Sequence, residues 1–270
     1  MAKKQWIIVG IAMLATVGLF SLPRMVVDND DQAVSETPVP VAEEEEDVHL
    51  PPLAPAVQTE ADSLRTLYLA NESTEKNTIF ANSLVELFIE ADRYDSAAYY
   101  AEVVANETAA LEDQEKAGEM YYEAFMRAVS NGQRQQLGGK VRFYYDQVLE
   151  ANPDNLDAKA KSAMTYIGSS NPMAGIRMLR EIVETDENHE LATYNLGLLS
   201  MQSGQYDKAV ERFEKVKEIN PENLQAQFLL GVSYLEAGEN EKSRQQFEFV
   251  KTISDDPEVI ANVDNYLERI

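Results

Sequence analysis

Between Glu190 and Pro257 the chain repeats itself at a spacing of thirty-four residues: Asn195-Leu196-Gly197 returns as Leu229-Leu230-Gly231, Gly204 as Gly238, and Phe213-Glu214-Lys215-Val216 as Phe247-Glu248-Phe249-Val250. A period of this length, with small residues early, glycine midway and an aromatic residue late, describes two helices joined by a turn. Such a unit cannot bury its apolar face alone and has to stack on copies of itself. The repeat therefore predicts an all-α fold whose core is supplied by stacked helix pairs.

The copy at 190–223 is the fullest, with Leu196, Gly197, Gly204, Tyr206, Ala209, Phe213 and Pro221 in place. Gly197 and Ala209 let the two helices of the pair approach, and Pro221 ends the second by removing a backbone donor. The copy at 224–257 keeps Gly231, Tyr234, Gly238, Phe247 and Val250, with Ser243 for the alanine. At 156–189 the places are held by Ala163, Tyr166, Gly175, Leu179 and Ile182, with Asn171-Pro172 in the turn. Residues 78–111 fit through Leu84, Phe88, Tyr94-Asp95, Ala97 and Val104. Residues 112–155 fit if an enlarged turn of about ten residues, holding Gly132, Gly138 and Gly139, occupies Ser130–Lys140. Its first helix then carries Met120, Tyr121, Phe125 and Val129, its second Val141, Tyr145, Val148 and Leu149, closing at Asn152-Pro153. Thr59-Glu-Ala-Asp62 reads as the start of a capping helix through Leu64, Leu67 and Tyr68. Pro257 opens a last one at 258–270 with Val259, Ile260, Val263, Tyr266, Leu267 and Ile270, completing a helical domain at 57–270.

Over residues 78–257 these positions resemble the tetratricopeptide repeat family, strongly in the last two copies. The resemblance implies a right-handed superhelical array of about five units that binds other proteins and does not catalyse. One departure is the aromatic residue usual at the fourth position of the first helix, where Ala81, Lys159, Thr193 and Gln227 stand. The family's inner surface maps onto Ala160, Met164 and Ile167, then Tyr194, Leu198 and Met201, then Phe228, Val232 and Leu235. These apolar residues are the candidate contacts for an apolar segment of a partner, although the same positions also pack between neighbouring units, where methionine commonly fills gaps. An apolar strip needs a cover, and Leu50-Pro-Pro-Leu53 or the final helix could also provide one. Family members that grip a terminal carboxylate need Lys, Arg and Asn along this surface, and only Lys161 and Asn195 are near, so that activity is disfavoured.

The beginning of the chain differs. Within residues 1–27, Gln5 to Pro23 is an uncharged stretch of nineteen residues, enough as a helix to cross about 28 Å of hydrocarbon. Lys3 and Lys4 precede it, while Asp28, Asp30 and Asp31 follow soon after Arg24. The positive-inside rule then keeps the amino terminus in the cytoplasm and puts the repeats outside, in a bacterium the periplasm. The alternative is a cleaved export signal ending near Thr16-Val17-Gly18, which would release a soluble domain. Residues 28–56, rich in proline and acid, form a linker without hydrophobic periodicity. This layout is similar to that of single-pass, signal-anchored bacterial inner-membrane members of the family, found beside the export translocon or in cytochrome c assembly.

The formal charge of −24 repels phosphate backbones and argues against nucleic acid. Cysteine is absent, which removes disulfides and thiolate metal sites. His49 lies in the linker and His189 between copies, so neither a histidine pair for zinc nor a Ser-His-Asp set is offered. No catalytic residue, metal or cofactor is expected. The reading is a membrane-anchored scaffold for a protein partner in envelope protein export or assembly. The alternatives are a homo-oligomer that organises a membrane complex and a cytochrome c assembly factor.

Overall fold

The computed structural model describes residues 52–70 and 73–270; the apolar stretch 5–23 and nearly all of the linker 28–56 lie outside the described residues. Among the described residues there are twelve α-helices and no strand. In chain order they are α1 (Pro55–Ala70), α2 (Thr74–Glu90), α3 (Tyr94–Thr108), α4 (Leu111–Met126), α5 (Asn131–Ala151), α6 (Leu156–Ile167), α7 (Pro172–Thr185), α8 (Glu190–Gln202), α9 (Tyr206–Ile219), α10 (Leu224–Glu236), α11 (Asn240–Ile253) and α12 (Pro257–Leu267). None of them is long and apolar enough to cross a membrane. They divide into two compact units, one ending at Ala192 and the other beginning at Thr193.

In the first unit each helix from α1 to α6 packs on the next. Its core is built from Leu84, Phe88, Val104, Val141, Tyr144, Tyr145 and Val148, all buried. The aromatic members stack in pairs, Phe88 on Tyr100 at 5.9 Å and Tyr121 on Tyr144 at 5.8 Å between ring centroids. Offset stacks of this kind add about 0.5–1.5 kcal/mol beyond the area they bury.

Two sequence expectations fail here. The enlarged turn at Ser130–Lys140 is helical: α5 starts at Asn131, and the Ser130 hydroxyl accepts the Gln133 N–H at 3.1 Å as its cap. Gln133, Arg134, Gln135, Gln136 and Leu137 are good helix formers, and Gly138 is held by packing, since a Cβ there would lie 3.3 Å from Thr165. As a result α4 stops at Met126, and Val129, expected within it, is exposed beyond its end. The capping helix also starts earlier than Thr59. Pro55 occupies its first turn, where the missing N–H costs nothing, and the Thr59 hydroxyl donates back to the Pro55 carbonyl at 2.8 Å from inside the helix.

In the second unit the repeat's small-for-large exchange is visible directly. A Cβ at Gly197 would come within 2.8 Å of the Phe213 ring, and one at Gly231 within 2.8 Å of Phe247. Helix α12 closes this unit by laying Tyr266 against Phe247 at 5.2 Å and edge-on to Phe228 at 5.5 Å.

The turns repeat as faithfully as the helices. Asn152, Asp186 and Asn220 follow α5, α7 and α9 with φ of −136°, −134° and −138°. Three residues after each, Asn155, His189 and Asn223 cap the next helix by accepting the N–H of Ala158, Ala192 and Ala226 at 3.0, 3.3 and 2.9 Å. Within pairs, Gly204 and Gly238 take φ of +70° and +81°, and the residue after each donates to a carbonyl five positions back. Asp92 does the same at φ +55°, between α2 and α3.

Candidate functional site

Of the nine residues that the repeat register places on an inner surface, none is fully exposed. Ala160 in the first unit and Met201, Phe228 and Val232 in the second are buried among their neighbours. Met164 and Ile167, and in the second unit Tyr194, Leu198 and Leu235, stay half-buried. Tyr194 sets its ring edge-on to Phe213 at 5.8 Å, and its hydroxyl is buried without a hydrogen-bond partner among the described residues. The apolar side chains left partly open are thus Met164 and Ile167 in the first unit, and Leu198 and Leu235 in the second.

The first helices of the pairs in the first unit also carry charge, and it is neutralised internally. Lys116 on α4 reaches Glu86 on α2 at 2.8 Å, and Lys161 on α6 reaches Glu119 on α4. Glu119 also accepts the Tyr145 hydroxyl at 2.9 Å. Lys161, one of two residues near enough to suggest carboxylate recognition, is thus engaged by Glu119. The second helices repeat the device: Glu102 on α3 accepts the Tyr121 hydroxyl of α4 and the Lys140 ammonium of α5 at 2.6 Å. Burial alone would raise the Glu102 pKa, but hydrogen bonds from Lys140 and Tyr121, with the charge of Lys140, hold it below the usual carboxylate range. Burial, then the Glu102 carboxylate, pushes the Tyr121 phenol far up, so it donates at every physiological pH.

A cleft of about 210 Å³ opens in the first unit between α5 and the turn joining α6 to α7. Arg134 and Arg142 line it, with Phe125, Thr165, Tyr166 and Ser169. Reading 130–140 as a loop concealed it, because the helix, unlike an irregular loop, puts positions 134, 138 and 142 on one face. The signal that could have found it is the spacing Arg-x3-Gly-x3-Arg inside a run of helix formers.

Comparison with known proteins follows the same lines. Residues 200–259 match the family profile described as tetratricopeptide repeat. No curated protein matches the chain. Among solved structures, a tetratricopeptide repeat protein from Parabacteroides merdae aligns over 78% of this chain and 79% of its own, with 16% identity and a TM-score of 0.57. MamA from Desulfovibrio magneticus aligns over 65% and 94%, with 17% identity and a TM-score of 0.48. YrrB, described as a tetratricopeptide repeat protein with an unusual peptide-binding site, aligns over 76% and 99%, with 18% identity and a TM-score of 0.45. At such identities the likeness is one of fold. Residues 200–259 thus match the tetratricopeptide repeat family, and the thirty-four-residue turns and glycine-on-phenylalanine contacts give the chain the fold of that family.

Proposed function

We propose that the chain is a membrane-tethered interaction scaffold that holds an apolar segment of a partner protein, outside the cytoplasmic membrane, during export or assembly of envelope proteins. The observation that carries the binding half is the set of half-buried apolar side chains at inner-surface positions, chiefly Leu198 and Leu235. Side chains partly open above a rigid core offer a partner apolar area at little ordering cost. The tether rests on the uncharged stretch 5–23 and on Lys3 and Lys4 before it.

Photo-crosslinking from Ile167, Leu198 and Leu235 in the full chain tests the first half. These positions are expected to capture a protein that Lys208 and Lys242, both exposed, do not; equal capture from both sets would end the reading. Protease added outside spheroplasts tests the second, with digestion of the helical units expected. Full protection would reverse the orientation.

A further inference from the structure

Arg134, Gly138 and Arg142 stand at every fourth position of α5 and share one face of it. Both guanidinium groups lie against aromatic rings in the cleft, Arg134 5.5 Å from the Phe125 centroid and Arg142 5.0 Å from that of Tyr166. Each donates a single hydrogen bond, Arg134 to the Ala128 carbonyl at 2.9 Å and Arg142 to the Thr165 hydroxyl at 2.8 Å. A guanidinium has five N–H donors, so most of those on both side chains meet no acceptor among the described residues.

Carboxylates are not scarce in this chain, which has 47 acidic residues against 23 basic ones. In the same unit Arg65, Lys116, Arg127, Lys140, Lys159 and Lys161 all pair with one. Arg134 and Arg142 do not, although both line the same cleft. Contact with the Phe125 and Tyr166 rings restrains the two guanidinium groups, and a restrained guanidinium fork suits bidentate binding of a planar oxyanion. The cleft, at about 210 Å³, is smaller than the roughly 300–1,000 Å³ of small-molecule sites, and fits a side chain or a chain end. A surrounding charge of −24 also penalises a doubly charged phosphate more than a carboxylate.

We propose that this cleft binds a carboxylate of the partner protein, from an acidic side chain or the chain terminus, with an apolar neighbour resting on Phe125 and Tyr166. The site deepens the scaffold reading and rests on it. It is carried by the second helix of its pair, and Lys161, one turn before Thr165, does not line it, its charge being already answered by Glu119.

Calorimetric titration of the full chain in detergent tests it with three probes: Gly-Gly-Phe with a free terminal carboxylate, Gly-Asp-Phe with an amidated terminus, and inorganic phosphate. One or both peptides are expected to bind with a dissociation constant on the order of 1 mM or better, weakening as NaCl rises. Arg134→Gln and Arg142→Gln should each weaken that binding about tenfold, while Arg177→Gln, on the exposed side of α7, should leave it unchanged. The peptide that binds more tightly identifies the source of the carboxylate. Because Arg134 also holds the Ala128 carbonyl, Arg134→Lys serves as a second variant: it keeps the charge, loses the fork, and should bind less well with an unchanged circular dichroism spectrum. The proposal is overturned if neither peptide binds at about 10 mM, if phosphate binds more tightly than both, or if the folded arginine variants bind like the parent. Failure here leaves crosslinking from Leu198 and Leu235 untouched, and loss of that crosslinking leaves this titration untouched, so the two readings fall separately.

Discussion

Asp92 performs with a side chain what Gly204 and Gly238 perform without one, holding a left-handed backbone at the turn inside a helix pair. Aspartate tolerates that region better than most residues but still pays for its Cβ. Asp92→Gly should therefore raise stability by up to about 1 kcal/mol, and Asp92→Val should lower it by about 1–2 kcal/mol, read from urea midpoints. Gly231 presents the opposite demand, for space. With the Phe247 ring 2.8 Å from where a Cβ would stand, Gly231→Ala should cost about 1–3 kcal/mol in thermal or urea unfolding. Gly139 has nothing within 4 Å of that position, so Gly139→Ala within α5 should be worth about 1 kcal/mol in the stabilising direction. The Tyr194 hydroxyl, buried and without a hydrogen-bond partner among the described residues, sets a further comparison: Tyr194→Phe should be neutral or stabilising, and a loss above about 1 kcal/mol would show a partner for it.

Helices are joined in threes by the Glu102–Tyr121–Lys140 contacts, which tie α3, α4 and α5. Because the Glu102 carboxyl is held below its ordinary value, the stability it contributes is complete above the unfolded-state pKa of about 4.3 and is lost as pH falls through the lower folded value. Urea unfolding across that acidic range should show this slope, and Glu102→Gln should flatten it. Contacts of this kind were not legible in the sequence, since Glu102 and Lys140 are 38 residues apart and obey no repeat period. The repeating parts were legible because one physical demand recurs: glycine beneath phenylalanine, and a residue of positive φ at the turn. Gln227 shows where that reading stops. At the place where the family usually has an aromatic residue, it is fully buried and satisfied, donating to the Pro221 carbonyl and accepting from Gln246, which in turn accepts from Lys217. The departure was visible, but its polar replacement was not, because Gln246 and Lys217 lie on other helices. The misread α5 has a different cause: glycines were weighed as breakers without sight of the Thr165 packing that makes one of them useful.

The whole molecule carries a formal charge of −24, and like charges on a compact chain repel. Thermal midpoints should therefore rise between low and about 0.5 M NaCl, where screening shortens the reach of charge to a few ångströms; a fall would mean that the exchanges around Glu102 and Glu119 outweigh the repulsion. The constancy of the turns bears on a different matter, the history of the chain. His189 caps its helix through the residue three positions on, as Asn155 and Asn223 do. Removing residues 190–223 would bring Ala226 to that same distance from His189, and duplicating them would create a second junction of the same kind. An unequal crossover in the gene would thus splice one working turn onto another. Array length in such a protein can drift by whole helix pairs while every local joint stays sound.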